Sequence, residues 1–397
     1  MTNELKVAFI SGPAYDALYE CLPAFTAATG VEVDVKFQGD HPTLNRHLAG
    51  LADVPYDLVS THTKYAPSQR QFLAALDEVI EPSVTEDFVP LILELARVDG
   101  SLLGMPRNID VRLLHYRTDL IESPPRTWDD LLALAREKNS PPDHYGFIFP
   151  GRESGLFGAF YELAEMAGAS LFPENLVPEI ENDGGRWALS LLREFYQEGL
   201  TPRELPEWHY DKVHECFRAG HAVMVGDWPG YYSLYRNADI SKVHDRFAVC
   251  SYPIGPAGTS LAYGGGHTFA LTRKGINRPE AVNLLLHLTE FAQQMNEARQ
   301  GCVPVRRSVM QAMQGEADET NRERLQMLEK VISDHILIPP KFARYPEVED
   351  VIWRTIQKAI IGETEVDKAL NQITEQIEGI VQRENNDNVN LNVAGFR

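Results

Sequence analysis

The chain has 397 residues, 44% of them hydrophobic and 24% charged, with a formal net charge of -20 at pH 7. That composition is normal for a folded globular protein, and the length exceeds one ordinary core, so two lobes are expected. The acidic balance excludes nucleic-acid binding through phosphate neutralisation, which needs a basic face, and no run of 18 apolar residues is present to span a bilayer.

The first hundred residues alternate strand and helix. "KVAFI" (6–10) and "VEVDVKF" (31–37) are apolar, β-branched runs, separated by a helical stretch that ends on Gly30, a candidate C-cap. "YDLVST" (56–61) reads as a third strand. This order predicts an α/β layer with a mainly parallel sheet, in which ligands sit beyond the carboxyl ends of the strands. The segments to watch are therefore 11–15, 38–45 and 60–65. Further on, Thr127 and Asp130 form a capping box for a helix over "WDDLLALAREKN". The tail "ENNDNVNLNVAGFR" (384–397) is asparagine-rich without a helical period and reads as disordered. Cys21, Cys216, Cys250 and Cys302 form no CxxC and read as small buried side chains, with a disulfide open if the chain is exported. The start has no apolar leader, so either the protein is cytoplasmic or an export signal lies upstream of residue 1.

"GDWPGYY" (226–232) follows an apolar run and raises three readings: core packing, a ferric-ion site on Tyr231 and Tyr232, or a stacking platform for a flat ligand such as a sugar. Neighbouring segments turn the choice toward the last. "VDGSLLGMPRNIDVRLLHYRTDL" (98–120), with Asp99, Gly100, Gly104, Pro106, Tyr116, Asp119 and Leu120, resembles the solute-binding proteins of ABC importers, in the carbohydrate-binding family that includes maltose-binding protein. Arg117 and Thr118 depart from that family's usual Asn-Lys. The resemblance continues in order through "PRTWDDLLALA", "HYGFIFPGRESGLFGAFYELAEMAGASLF", "FRAGHAVMVGDWPGYY", "GGGHTFALTRKG" and "GCVPVRRSV". Colinear order carries the resemblance, since each motif alone is weak.

The resemblance implies an α/β protein of the type II periplasmic-binding-protein fold, with two α/β lobes joined by crossing hinge strands. Residues 1–110 and 266–310 are expected in the first lobe, 111–265 and 311–383 in the second. It also implies a non-enzymatic, monomeric, periplasmic or extracellular protein that carries a carbohydrate to ABC permease subunits. No cofactor and no metal are expected. Two further readings stay open: a carbohydrate-active enzyme using Asp110 and Asp227, and the ferric-ion site. Neither HExxH nor GxSxG occurs.

Sugar hydroxyls favour planar hydrogen-bond partners, and sugar C–H faces favour aromatic rings. Asp110 sits where the family often carries an acidic ligand residue, or it pairs with Arg107 or Arg112. Trp228, Tyr231 and Asp227 face ligand or pack in the core and cap the loop. Arg152 and Glu153 lie on a ligand loop or a solvated one. Tyr263, Gly265 and His267 lie in a glycine-rich segment suited to a crowded hinge strand. Ser11, Gly12 and Tyr15, Gln38 and Asp40, and Thr61, His62 and Tyr65 are candidates by strand-end position. Arg306 and Arg307 either bind ligand, which would suit an acidic or sulfonated sugar, or balance the acidic surface.

Overall fold

The computed structural model describes residues 3–12 and 14–394. Among the described residues, twelve strands are arranged in two sheets and one short hairpin. The first three strands, β1 (Glu4–Ile10), β2 (Glu32–Gly39) and β3 (Leu58–His62), are parallel neighbours with β1 in the middle. Between β1 and β2 the helical stretch is broken into Asp16–Glu20 and Leu22–Thr29, and Gly30 closes it in the left-handed conformation at φ 71°. Glycine adopts that conformation without the Cβ penalty. A two-stranded hairpin, β4 (Arg97–Val98) with β5 (Ser101–Leu102), precedes β6 (Met105–Val111).

One residue, Arg112, separates β6 from β7 (Leu113–Arg117), and there the chain leaves the first sheet for the second. The second sheet contains β7, β8 (Tyr145–Ile148), β9 (Ala222–Asp227) and β10 (Phe247–Cys250) in the order β10-β7-β9-β8. The chain returns on β11 (Ala262–Leu271), which runs antiparallel to both β3 and β6. The short β12 (Ile336–Leu337) pairs with the start of β11, so it belongs to the first sheet although the sequence places 311–383 in the second lobe. The helices Glu153–Met166, Asp183–Gln197 and Tyr345–Ile361 pack together on the second sheet's side.

The Thr127–Asp130 capping box is present in full. The tail departs from expectation, because the last helix runs Val366–Ala394. Glu384 is buried and accepts the Ala343 and Arg344 amides at 3.2 and 3.1 Å, and Arg344 also reaches Asp387 at 2.6 Å. Those anchors hold the helix beyond the point where apolar periodicity ends; residues 395–397 lie outside the described residues. All four cysteines are free thiols.

The crossing point is fastened by a buried ion pair. Arg112 is 1% exposed, its Nε donates to Glu162 Oε1 at 3.0 Å, and a second guanidinium nitrogen donates to Glu162 Oε2. Glu162 also accepts the Tyr263 amide at 2.6 Å, which ties the outgoing and returning strands to one helix. Removing one partner strands a buried charge, whereas replacing both with apolar groups of matching shape does not. Arg112→Ala is therefore expected to cost roughly 3–5 kcal/mol in urea unfolding, and the double change Arg112→Met with Glu162→Leu much less.

Candidate ligand-binding cleft

The strand ends of the first sheet and the loops of the second converge on one cleft of about 870 Å³, including its opening to solvent. From the first lobe, Ser11 and Tyr15 follow β1, Asp40 and His41 follow β2, and His62 and Lys64 lie at the end of β3. Asn108 and Asp110 on β6 and Tyr263 and His267 on β11 complete that side. The facing side is aromatic. Trp228 meets Tyr210 edge-on at 5.4 Å between ring centroids and Tyr263 at 5.8 Å, and Tyr231 donates its hydroxyl to Asp211 at 3.1 Å.

Three histidines form the polar floor. His267 Nε2 lies 2.9 Å from Asp110 Oδ2, which also accepts Asn108 Nδ2 at 2.8 Å. A carboxylate only accepts, so His267 carries a proton on Nε2. The other nitrogen, Nδ1, lies 2.7 Å from His41 Nε2. With His267 neutral, that contact is a hydrogen bond donated by His41. His62 Nδ1 accepts the Lys64 amide at 3.2 Å. Burial is the main reason that His41 and His62 sit well below the ordinary histidine range, helped by the neighbouring His267 and Lys64.

The cations around the floor are ion-paired, although two nitrogens of the buried Arg107 guanidinium have no hydrogen-bond partner. Lys64 Nζ donates to Glu349 at 2.5 Å and to the Tyr263 hydroxyl at 2.8 Å, and Arg107 Nε donates to Glu297 at 2.9 Å. Two contacts join the lobes at the rim, Arg46 to Glu153 at 3.2 Å and His209 to Asp40 at 4.0 Å.

The family profile described as bacterial extracellular solute-binding protein matches residues 21–323. The chain belongs to that family. It is 26% identical over 242 residues to the "Probable ABC transporter-binding protein" of Deinococcus radiodurans, covering 58% of this chain and 57% of that protein. It is 23% identical over 216 residues to the maltodextrin-binding protein MdxE of Bacillus subtilis, covering 51% and 49%. The chain thus spans about half the length of these curated relatives. Among solved structures, T. maritima MalE3 with maltose bound matches with a TM-score of 0.86 and 25% identity, covering 94% of this chain and 99% of that one. The fold is that of the maltose-binding-protein class of periplasmic binding proteins.

In this solute-binding protein the structure brings together Ser11, Tyr15, Asp40, His62, Asp110, Trp228, Tyr231, Tyr263 and His267 of the residues named from sequence. The others do not line the cleft. Gly12 bends under the Tyr15 ring, and Gln38 is exposed. Thr61 donates to Gln69 inside the lobe, and the Tyr65 hydroxyl donates to Glu349 at 2.5 Å. Gly265 faces the His62 ring, where a Cβ would lie 2.4 Å from Cε1. Arg152 and Glu153 pair with each other at 3.2 Å, with Glu153 at the rim contact. Arg306 donates to the Thr289 carbonyl at 2.8 Å and Arg307 to the Glu86 carbonyl at 2.5 Å, so both fasten the first lobe.

Asp227 is fully buried and accepts the Tyr235 hydroxyl and the Trp228 amide, so it does not face Asp110 across the cleft as the paired-acid reading expected. Tyr232 does not line the cleft but packs under the Arg324 guanidinium at 4.3 Å, so the adjacent tyrosines do not converge on a ferric ion. His41, Lys64, Asn108, Ser154 and the run His209–Asp211 were not named from sequence. His41 falls inside the watched segment 38–45. His209–Asp211 open the helix Tyr210–Arg218, a position without a local sequence signal for a cleft.

Burial pushes the Asp227 carboxyl from its ordinary 3.8 up to about 7, against the lowering effect of its two donors. The folded state then holds a proton that the unfolded chain releases between those values, so this group's contribution to stability falls as pH rises through that window. Urea unfolding from pH 4 to 8 should show a decline, on the order of 2–4 kcal/mol, relative to Asp227→Asn.

Proposed function

We propose that this protein captures a neutral carbohydrate or polyol in its interlobe cleft and presents it to an ABC permease. The observation that carries the proposal is a cleft with polar acceptors and imidazoles on one side, aromatic rings on the other, and no uncommitted cation among its described lining residues. Hydroxyl groups suit the first face, and pyranose or polyol C–H groups suit the second. An acidic or sulfonated sugar lacks a counter-charge, because Arg107, Arg112, Arg306, Arg307 and Lys64 are all bound elsewhere. The maltodextrin-binding relative and the maltose-bound structure support the ligand class. The family description supports work outside the cytoplasmic membrane; a permease partner and a monomeric state are part of the proposal.

Ligand that touches both lobes stabilises the closed form by its differential affinity for it. The rim contacts Arg46–Glu153 and Asp40–His209 belong to such a closed form. A thermal-shift screen across neutral mono- and oligosaccharides, polyols and sugar acids tests the ligand class. At 100 times the dissociation constant a ligand adds about 2.7 kcal/mol to stability. A response to sugar acids alone would overturn the neutral assignment. With a ligand in hand, small-angle scattering should show a smaller radius of gyration on binding.

Trp228 is the central apolar wall. Trp228→Ala is expected to weaken binding by roughly tenfold to a hundredfold, about 1.4–2.8 kcal/mol in calorimetric titration. Unchanged affinity in a folded variant would remove Trp228 from the site.

A further inference from the structure

We propose that His41, His62 and His267 form a binding site for one divalent transition-metal ion of the zinc class on the cleft floor, with Asp110 orienting His267. Each of the three residues offers a ring nitrogen, and these atoms lie within 4.8 Å of one another. They come from three separated segments, the start of the helix His41–Ala49, the end of β3 and the middle of β11. All three line the cleft, so an ion has a way in and a position stays open toward bound ligand.

Imidazole selects zinc, copper, nickel and related ions over calcium and magnesium, which prefer oxygen. His267 also carries the supporting contact common to metal-ligating histidines, with one ring N–H bonded to a carboxylate and the opposite nitrogen aimed at the site. Asp110 is in turn held by Asn108. Asp110 is the negative charge beside the site, and the two cations that oppose a metal ion at His41 and His62 are paired. Lys64 and Arg107 are each neutralised by a glutamate, whereas Asp110 has no Lys or Arg partner among the described residues.

The present spacing shows what must move. His41 Nε2 and His267 Nδ1 are 2.7 Å apart and share a proton. Two nitrogens bound at 2.0–2.1 Å on a tetrahedral ion stand about 3.3 Å apart. Ion entry therefore breaks that hydrogen bond, moves the single proton of neutral His41 from Nε2 to Nδ1 by exchange with water, and parts the rings by about 0.6 Å, a side-chain adjustment. His62 is held by the Lys64 amide at 3.2 Å and has to turn or release that bond to present its nitrogen. All three ligands sit in the first lobe, so the site assembles without lobe closure. The inference stands apart from the carbohydrate assignment, because sugar binding needs no metal.

The test uses the full chain without a histidine tag, stripped with chelator and titrated with zinc chloride by calorimetry and with cobalt chloride by visible absorption. One equivalent of zinc should bind, and cobalt should give the intense bands of a four- or five-coordinate nitrogen-rich site. His41→Ala, His62→Ala and His267→Ala should each weaken binding at least tenfold, and Asp110→Asn by roughly 10–100-fold. His244→Ala, at a half-buried histidine outside the cleft, should leave binding unchanged. The cobalt spectrum of the wild type keeps the test valid if a variant fails to fold. Absence of saturable zinc binding, an octahedral cobalt spectrum, or binding that survives loss of the three histidines would each overturn the proposal. Sugar titration of the chelator-stripped protein separates this outcome from failure of the carbohydrate assignment.

Discussion

The missing side chain at Gly265 sets where the rest of the cleft can be. β11 is hydrogen-bonded to β3 on one side and β6 on the other, and the His62 ring occupies the space where a Cβ on Gly265 would lie. At Gly264 a Cβ would lie 2.7 Å from the Asp110 carbonyl oxygen. Consecutive glycines thus let a returning strand pass close enough to hold both His62 and Asp110 beside His267. A side chain at either position would push β11 from β6 or turn His62 away, and the polar floor would come apart. The same closeness places Tyr263 against the outgoing Arg112, so hinge and binding floor depend on one backbone approach.

Around that approach the protein buries three ion pairs, Arg107–Glu297, Arg112–Glu162 and Lys64–Glu349. Buried pairs are weak evidence for stability, because desolvation offsets most of the Coulomb attraction. Their effect on the cleft is clearer. Of the three cations only Lys64 lines the cleft, and its pairing with Glu349 leaves a floor of hydrogen-bonding groups around Asp110. Glu349 also accepts the Tyr65 and Tyr345 hydroxyls, so the helix Tyr345–Ile361 of the second lobe is pinned beneath the first lobe's third strand.

Much of this architecture was legible in the sequence, and the misses share a cause. Apolar runs located β1, β2 and β3 to within two residues, and the colinear motifs placed Trp228, Tyr231, Tyr263 and His267 at the cleft. Side-chain direction was not legible. Successive residues in a strand face opposite ways, so a position beyond a strand end does not say which neighbour looks inward. His62 faces the cleft while Thr61 turns to Gln69; Asp40 and His41 face it while Gln38 does not. Long-range partners were equally hidden. Nothing near Arg306 in the chain announces Asp87, and nothing near Asp227 announces Tyr235 as its neighbour across the loop. The histidine cluster escaped because its members are 21 and 205 residues apart, outside any metal-ligand spacing that a local motif records.

The two lobes divide the chemistry unequally, and this bears on how closure and affinity are linked. The first lobe supplies preassembled polar groups whose positions are set by a continuous sheet. The second supplies Trp228 and Tyr210, which meet edge-on, and Tyr231, stacked 4.1 Å from His214. In such an arrangement hydroxyl recognition can begin on the open first lobe, and the aromatic wall adds its contacts only as the lobes meet. Apolar burial then contributes mainly to the closed state, and a ligand that satisfies the floor but lacks a C–H face binds without favouring closure. On the proposed carbohydrate reading, closure would read the apolar face of the ligand and the floor its hydroxyls. The rim pairs Arg46–Glu153 and Asp40–His209 are partly exposed, so they add little energy beyond fixing the register in which the lobes meet.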